Sequence, residues 1–316
     1  MNGPSVLAVN LHTGLVEAIG QLAIDMSMKG HPHIVVCRPL SYGAVCDSDL
    51  AGQMLRYIVE TVQSHKMMLP PLIILAVPSQ ITEVEKRALT CSAYRARGSE
   101  AQLVERGIVA ALGAGLAVTN RGGSMIVDLG SGTTEIAVIS FGGTVYSRSL
   151  RVAGSHMDQA IIDYLQCKYH LLVEETTAEH IKIAIGSAYP RRRRLAMDVA
   201  GRDIGRGVTR SITVYDQEVR EALDDCLSEI VRAIRIALEC TPPELLSDLS
   251  DGGIVLTGGG ALLSGLEDRV REETGLPVLV ADNPLLNVIL GMGKLLRYPA
   301  LCRQITTLQG DSVLAA

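Results

Sequence analysis

Apolar residues recur at every third or fourth position from Gln217 to Glu239, at Val219, Leu223, Leu227, Ile230, Ile234 and Leu238. This is the spacing of one face of a long amphipathic helix. The same spacing at Met54, Ile58, Val59 and Val62 predicts a helix over Leu50–Ser64. Unbroken apolar runs read differently. Leu72–Val77 is short, aliphatic and closed by Pro78, which predicts a strand buried on both faces. Met125–Leu129, interrupted by Asp128, and Ile254–Thr257 predict further buried strands. Shorter runs predict strands at Ser5–Asn10, Leu15–Ile19, Gln102–Val104, Thr133–Ile139, Thr144–Val152 and Val278–Val280. Asp198–Val214 has strand character interrupted by Gly201, Gly205 and Gly207.

Helix boundaries follow from capping residues. Thr82 with Glu85 three positions on forms a capping box, and the helix behind it runs to about Arg97. Ser264 with Glu267 predicts a second box, with Gly275 as the stop. Further helices are expected at Ile108–Leu112, Met157–His170, Ala178–Ile185 and Ile289–Arg297. Strand hairpins followed by strands alternating with helices occur twice, on either side of Thr119–Gly123. The pattern predicts an α/β chain of two halves with a mixed sheet in each.

Composition narrows the function classes. The chain has 316 residues, of which 47% are hydrophobic, with no Trp and one Phe, so recognition by aromatic stacking is not expected. A net charge of −5 argues against nucleic acid as a partner. The run Arg191–Arg194 is a local exception. It reads as a solvated loop or as a contact with acidic lipid or an acidic neighbouring subunit. Seven scattered cysteines without a C-x-x-C pair fit reduced thiols in the cytoplasm and no zinc site. No signal peptide and no apolar run long enough to span a bilayer is expected.

Three motifs carry candidate chemistry. In VDLGSGTTE (Val127–Glu135), Gly130, Ser131 and Gly132 form a turn whose N–H groups could cradle an anion, with Thr133 adding a hydroxyl. Asp128 could hold Mg2+ through water. An ordinary glycine hairpin accounts for the pattern equally well. In TGGGALLSGL (Thr257–Leu266), Gly258, Gly259 and Gly260 lie between a buried strand and a helix, an arrangement suited to a phosphate or sugar, or to a tight packing turn. Glu179 and Lys182, three apart on a helix, share one face and could be a surface ion pair.

Together with RPLSYGAV (Arg38–Val45), VPSQITEVEKRAL (Val77–Leu89), GSMIVDLGSGTTEIAVIS (Gly123–Ser140), TAEHIKIAIGSAYP (Thr177–Pro190) and the long segment Cys240–Val278, these motifs resemble the bacterial actin family MreB over nearly the whole chain, to about Leu296. The resemblance implies an actin-like (ribonuclease-H-like) two-domain α/β fold with mixed sheets, closing over ATP and Mg2+. It places domain I at residues 1–118 and 291–316 (8–49 as a small subdomain) and domain II at 119–290 (157–221 as a small subdomain). It implies that Asp128 and Gly130–Thr133 form the second phosphate loop. By the same resemblance Glu179 and Lys182 touch ribose and adenine, and Gly258, Gly259, Gly260, Ala261 and Leu262 belong to the adenosine loop. It implies filaments at the inner face of the membrane, where wall-synthesis membrane proteins are partners, with Met67, Met68 and Leu69 as a membrane-inserting loop.

Two departures from the family pattern stand out. The segment Met1–Ser5 corresponds to a position after the first phosphate loop, Asp-x-Gly-Thr, so that loop and the opening strands are expected to be missing. The family has Glu-Glu-Pro where Glu105-Arg106-Gly107 stand, and a guanidinium cannot accept the proton of an attacking water. Ser131 where Gly is usual is a milder change. The expectations are therefore weak or lost hydrolysis, with Arg106 lying near the γ-phosphate as one reading. The chain is either a filament former of the MreB type or a catalytically silent paralogue that joins or regulates filaments of full-length MreB relatives. A sugar kinase or chaperone on the same fold is the weakest alternative.

Overall fold

In a computed structural model, residues 3–41, 44–62, 70–302 and 305 are described. The expected membrane loop Met67-Met68-Leu69 lies outside them. The chain divides into two compact units, Met1–Val77 with Ile81–Val104, and Pro78–Gln80 with Glu105–Ala316.

In the first unit, β1 (Leu7–Asn10), β2 (Val16–Ile19), α1 (Gln21–Met28) and β3 (Ile34–Cys37) come first. Their sheet has the order β2-β1-β3 with both pairings antiparallel, and Val6, Ala8, Ala18 and Ala23 form its small core. Then follow β4 (Leu40–Ser41), β5 (Ala44–Val45), α2 (Ser48–Val62), β6 (Leu72–Val77), α3 (Glu83–Arg95) and β7 (Glu100–Glu105). The Thr82 capping box forms as expected: Glu85 N–H donates to Thr82 Oγ1 at 3.2 Å, and Thr82 N–H donates to Glu85 Oε2 at 2.8 Å. Two expectations fail here. β6 is not buried on both faces, because Leu72 is 42% exposed and, among the described residues, β6 pairs with β7 alone. The described residues form small separate sheets rather than a mixed one.

The mixed sheet stands in the second unit. Its elements are α4 (Arg106–Gly113), β8 (Ser124–Leu129), β9 (Thr134–Ser140), β10 (Gly143–Leu150), α5 (Gly154–Tyr169), β11 (Leu171–Leu172) and α6 (Glu175–Ile185). β12 (Ala196–Asp203), β13 (Thr209–Tyr215), α7 (Asp216–Glu239), α8 (Pro243–Gly252), β14 (Ile254–Thr257), α9 (Leu266–Thr274), β15 (Val278–Val280) and α10 (Asn287–Arg297) complete it. The five-stranded order is β10-β9-β8-β14-β15. β8, β14 and β15 run parallel, while β9 and β10 return antiparallel. Every residue of β9 is buried, as a central strand requires.

Helix α7 lays Val219, Leu223, Leu227, Ile230 and Ile234 into the same core as Met125, Val127, Ile136 and Val138. Each such side chain contributes roughly 1.5–3 kcal/mol of burial, against the conformational entropy of ordering it. Helices α4 and α10 touch on their backbones: a side-chain carbon at Gly113 would begin 1.7 Å from the Asn287 carbonyl oxygen. Lys294 Nζ reaches across to the Leu112 carbonyl at 2.6 Å.

The second capping box is not formed. The N-cap of α9 is Gly265, left-handed at φ 74, and no side chain caps the helix. The Ser264 carbonyl instead accepts from Ala188 N–H at 2.8 Å, which draws this residue into a bridge with Ser187. Gly275 does end the helix, at φ 72.

Candidate functional site: two glycine turns on adjacent parallel strands

β8 and β14 lie side by side in parallel register, with Thr257 opposite Asp128. Their C-terminal ends therefore open at one edge of the sheet, where ligands of open α/β sheets bind. The turn Gly130–Thr133 leaves β8 and the turn Gly258–Leu262 leaves β14. The two touch. Gly258 has φ 82, a conformation that glycine adopts freely, and a side-chain carbon there would begin 2.3 Å from the Leu129 carbonyl oxygen and 2.5 Å from Asp128 Oδ1. Gly259–Leu262 form one short 3-10 turn, with Ala261 buried and Leu262 exposed. Asn287 Nδ2, from the start of α10, donates to Thr257 Oγ1 at 2.8 Å.

The first turn is also tied to the start of α5. Gly154 N–H donates to the Gly130 carbonyl at 3.1 Å, and Ser155 N–H to the Ser131 carbonyl at 2.8 Å. The hydroxyls of Ser131 and Ser155 lie 3.0 Å apart. Lys182 Nζ on α6 donates to the Gly154 carbonyl at 3.1 Å and pairs with Asp158 Oδ1 at 2.7 Å. The Lys182 partner is thus Asp158, not Glu179, which is exposed. Burial pushes the Asp158 carboxyl above the usual carboxylate range; Lys182 opposes that shift, and Glu179 and Glu175 add to it.

Asp128 is 1% exposed, and Arg106 Nε donates to its Oδ2 at 2.5 Å. Arg106 Nη2 lies 2.8 Å from where a side-chain carbon on Gly130 would begin. Burial works against the guanidinium charge. The charge and hydrogen bond of Asp128, with Glu135 nearby, outweigh it and raise the Arg106 pKa. Glu135 Oε1 accepts from Ser149 Oγ at 2.5 Å, and its Oε2 accepts from Ser79 N–H at 3.3 Å and Ser79 Oγ at 3.2 Å. Burial nonetheless holds the Glu135 carboxyl above its ordinary value, against Ser149, Ser79 and Arg106.

Two buried polar atoms at the first turn have no hydrogen-bond partner among the described residues, Asp128 Oδ1 and Thr133 Oγ1. Such atoms are rare in folded proteins and mark a place where water or a ligand completes the bonding. The turn, the Thr133 hydroxyl and the lysine beside it fit a phosphate-bearing ligand, whereas Asp128 Oδ1 only accepts and does not bond an anion. They fit a divalent cation poorly. Asp128 already carries a guanidinium, and among the described residues no three acidic, His or Cys groups converge on a metal position.

The structure therefore brings together Asp128, Gly130, Ser131, Gly132, Thr133, Lys182 and Gly258–Gly260, and leaves Glu179 one turn along α6. Sequence reasoning missed Gly154, Asp158, Ser149 and Asn287. Glu135 carried a signal: an acid inside the apolar run Thr134–Ser140 needs partners to be buried there.

The family model for the MreB/Mbl protein matches residues 1–304. The cell shape-determining protein MreB of Escherichia coli is 44% identical over 301 residues, covering 94% of this chain and 87% of that protein. The cell shape-determining protein Mbl of Bacillus subtilis is 40% identical over 296 residues, covering 94% and 89%. Among solved structures, MreB5 of Spiroplasma citri bound to ADP matches with TM-score 0.88 and 34% identity, over 96% of this chain and 91% of that one. The MamK double helical filament matches in fold, with TM-score 0.78 at 20% identity. The fold is thus actin-like, and the chain belongs to the MreB/Mbl family.

Proposed function

We propose that this chain binds ATP at the paired glycine turns and assembles into filaments at the inner face of the cell membrane, where it directs wall synthesis and maintains cell shape. The observation that carries the reading is the pair of turns at the ends of β8 and β14, with the Thr133 hydroxyl left without a hydrogen-bond partner among the described residues beside them. The ADP and AMPPNP carried by the MreB5 structures of Spiroplasma citri support an adenine nucleotide. In this reading domain I comprises residues 1–118 and 291–316 and domain II residues 119–290, with Lys182 and Glu179 toward the nucleoside and Gly258–Leu262 along it. Arg191–Arg194 are candidates for contact with an acidic surface. Arg192, Arg193 and Arg194 are exposed, Arg194 stacking 3.7 Å over the Tyr215 ring, while the half-buried Arg191 donates to the Gly186 carbonyl. Among the described residues no helix is long and apolar enough to cross a membrane.

A second reading is favoured by one feature. Arg106 stands at the family's water-orienting position and is locked to Asp128. A chain that binds nucleotide without turning it over would join filaments of a full-length relative, not drive its own cycle. Sedimentation and negative-stain microscopy of the purified chain with ATP test both readings. Filaments formed alone support the first, and incorporation only beside a full-length relative supports the second. Phosphate release close to background is expected in either case, and brisk release would overturn the assignment of Arg106. Failure to bind ATP at millimolar concentration, corresponding to a binding free energy weaker than about 4 kcal/mol, would remove the nucleotide from the account.

A further inference from the structure

Arg106 does more than displace an expected glutamate. It opens α4 with its guanidinium over the first glycine turn, joined through Nε to Asp128 and with Nη2 against Gly130. The side chain is 29% exposed while Asp128 is 1% exposed, so the positive group faces the open side of a buried acid. The second carboxylate of the hairpin, Glu135, is taken up by Ser79 and Ser149 and also feels the Arg106 charge.

Magnesium calls for hard, unshared oxygens and usually reaches a nucleotide through one or two carboxylates and its retained waters. Asp128 no longer offers that: Arg106 takes Oδ2, and Oδ1 is buried against the Gly258 backbone. One of its oxygens is bonded to a guanidinium, which largely cancels the charge that would attract the ion. The guanidinium, in turn, supplies what a cation supplies to a polyphosphate. It is permanently charged and planar, it has five N–H donors in a fork suited to phosphate oxygens, and the Asp128 pair uses Nε. In a partly dry site such a charge acts more strongly than it would in water.

We propose that Arg106 stands in for the divalent cation, so that this chain holds a nucleotide polyphosphate without magnesium. The inference rests on the nucleotide reading above, and its test separates the two. ATP is titrated onto the full chain by calorimetry, once in excess magnesium and once in excess EDTA, and the titrations are repeated with Arg106→Glu and Arg106→Gln. The expected result is a wild-type affinity that changes by less than about fivefold between the two buffers. Both variants should weaken by about fivefold or more in EDTA, and Arg106→Glu should become the more dependent on magnesium. A wild-type affinity that falls about fivefold or more on removing magnesium overturns the inference while leaving nucleotide binding intact. Full metal-free affinity in Arg106→Gln overturns the role of Arg106. Absence of ATP binding in both buffers overturns the nucleotide reading and this inference with it. The wild-type pair of titrations decides the question even where a variant fails to fold.

Discussion

The two glycine turns sit on neighbouring strands, yet different forces hold them. The Gly258–Gly260 turn is held by shape. Its backbone lies against Leu129 and Asp128 closely enough to leave no space for a side chain at Gly258 or Gly260, and Asn287 and Thr257 secure its flank. The Gly130–Gly132 turn is held by charge and hydrogen bonds: Arg106 on Asp128, Lys182 on Asp158 and Gly154, and α5 N–H groups on the turn carbonyls. A sterically set turn is rigid and chemically quiet. A turn set by ion pairs can exchange its partners for a ligand's, which is why the chemistry is expected on the β8 side.

If that division is right, the largest effect comes from Gly258→Val. The substitution meets the Leu129 carbonyl and also forces a positive φ on a branched residue. A loss of at least about 3 kcal/mol, or an insoluble chain, is expected in denaturant unfolding. A stable Gly258→Val protein would show that the turn has slack. Next comes Lys182→Met. Lys182 and Asp158 are 15% and 7% exposed, so removing the cation leaves a buried acid without its partner. A loss of about 2–3 kcal/mol is expected by the same measurement, and nucleotide affinity should fall with it because Gly154 and the first turn lose an anchor. A loss of stability with unchanged affinity would place Lys182 outside the site.

A third, smaller effect carries a pH signature. Ser149→Ala takes from the buried Glu135 carboxylate a donor that opposes the effect of burial. A cost of about 1.5 kcal/mol is expected at neutral pH. The sign follows from the direction of the shift. The folded pKa of Glu135 is raised, so its contribution is fully present below the unfolded value of about 4.3 and is lost as pH rises through the folded value. Ser149→Ala raises the folded value further. Its cost should therefore shrink in acid and grow toward neutral pH, as read from unfolding free energies across that range. A cost independent of pH would mean that Ser149 supports packing and not the charge of Glu135.

These contrasts mirror what was legible in the sequence. The α7 stripe, the β14 run and the Thr82 box were readable because each rests on local spacing or on a contact three residues away. Both glycine turns were readable because glycine clusters are dense local signals, and together with the long colinear segments they identified the family. The pairings that hold the charged turn were not. Lys182 looked suited to Glu179, three residues before it, but the fold supplies Asp158 from another helix, and periodicity holds no record of such a choice. The false box at Ser264 fails for a different reason: the helix takes the left-handed Gly265 as its N-cap, so Ser264 stands one residue outside the cap position. Helix α1 escaped the reading because its apolar positions mark no clear face, whereas α8 escaped it despite carrying one, in Leu245, Leu246 and Leu249. Arg106 was singled out only as a departure from the family, and its partner Asp128 emerged only from the packing of α4 against β8.

The smallest effect tests the comparison most finely. Ser131→Gly restores the residue usual in the family at the centre of the first turn. It removes one exposed hydroxyl contact, 3.0 Å to Ser155, and leaves the backbone bonds from Gly154 and Ser155 intact. The added freedom of the unfolded chain should cost about 0.5 kcal/mol, seen as a small fall in the unfolding midpoint. If charge and backbone hydrogen bonds set this turn, ATP affinity should be unchanged, because neither Arg106 nor Lys182 touches the lost hydroxyl. A large change in affinity from so small a change in stability would show that the hydroxyl itself faces the ligand. The division between a turn held by shape and a turn held by charge would then have to admit a side chain that contacts the nucleotide directly.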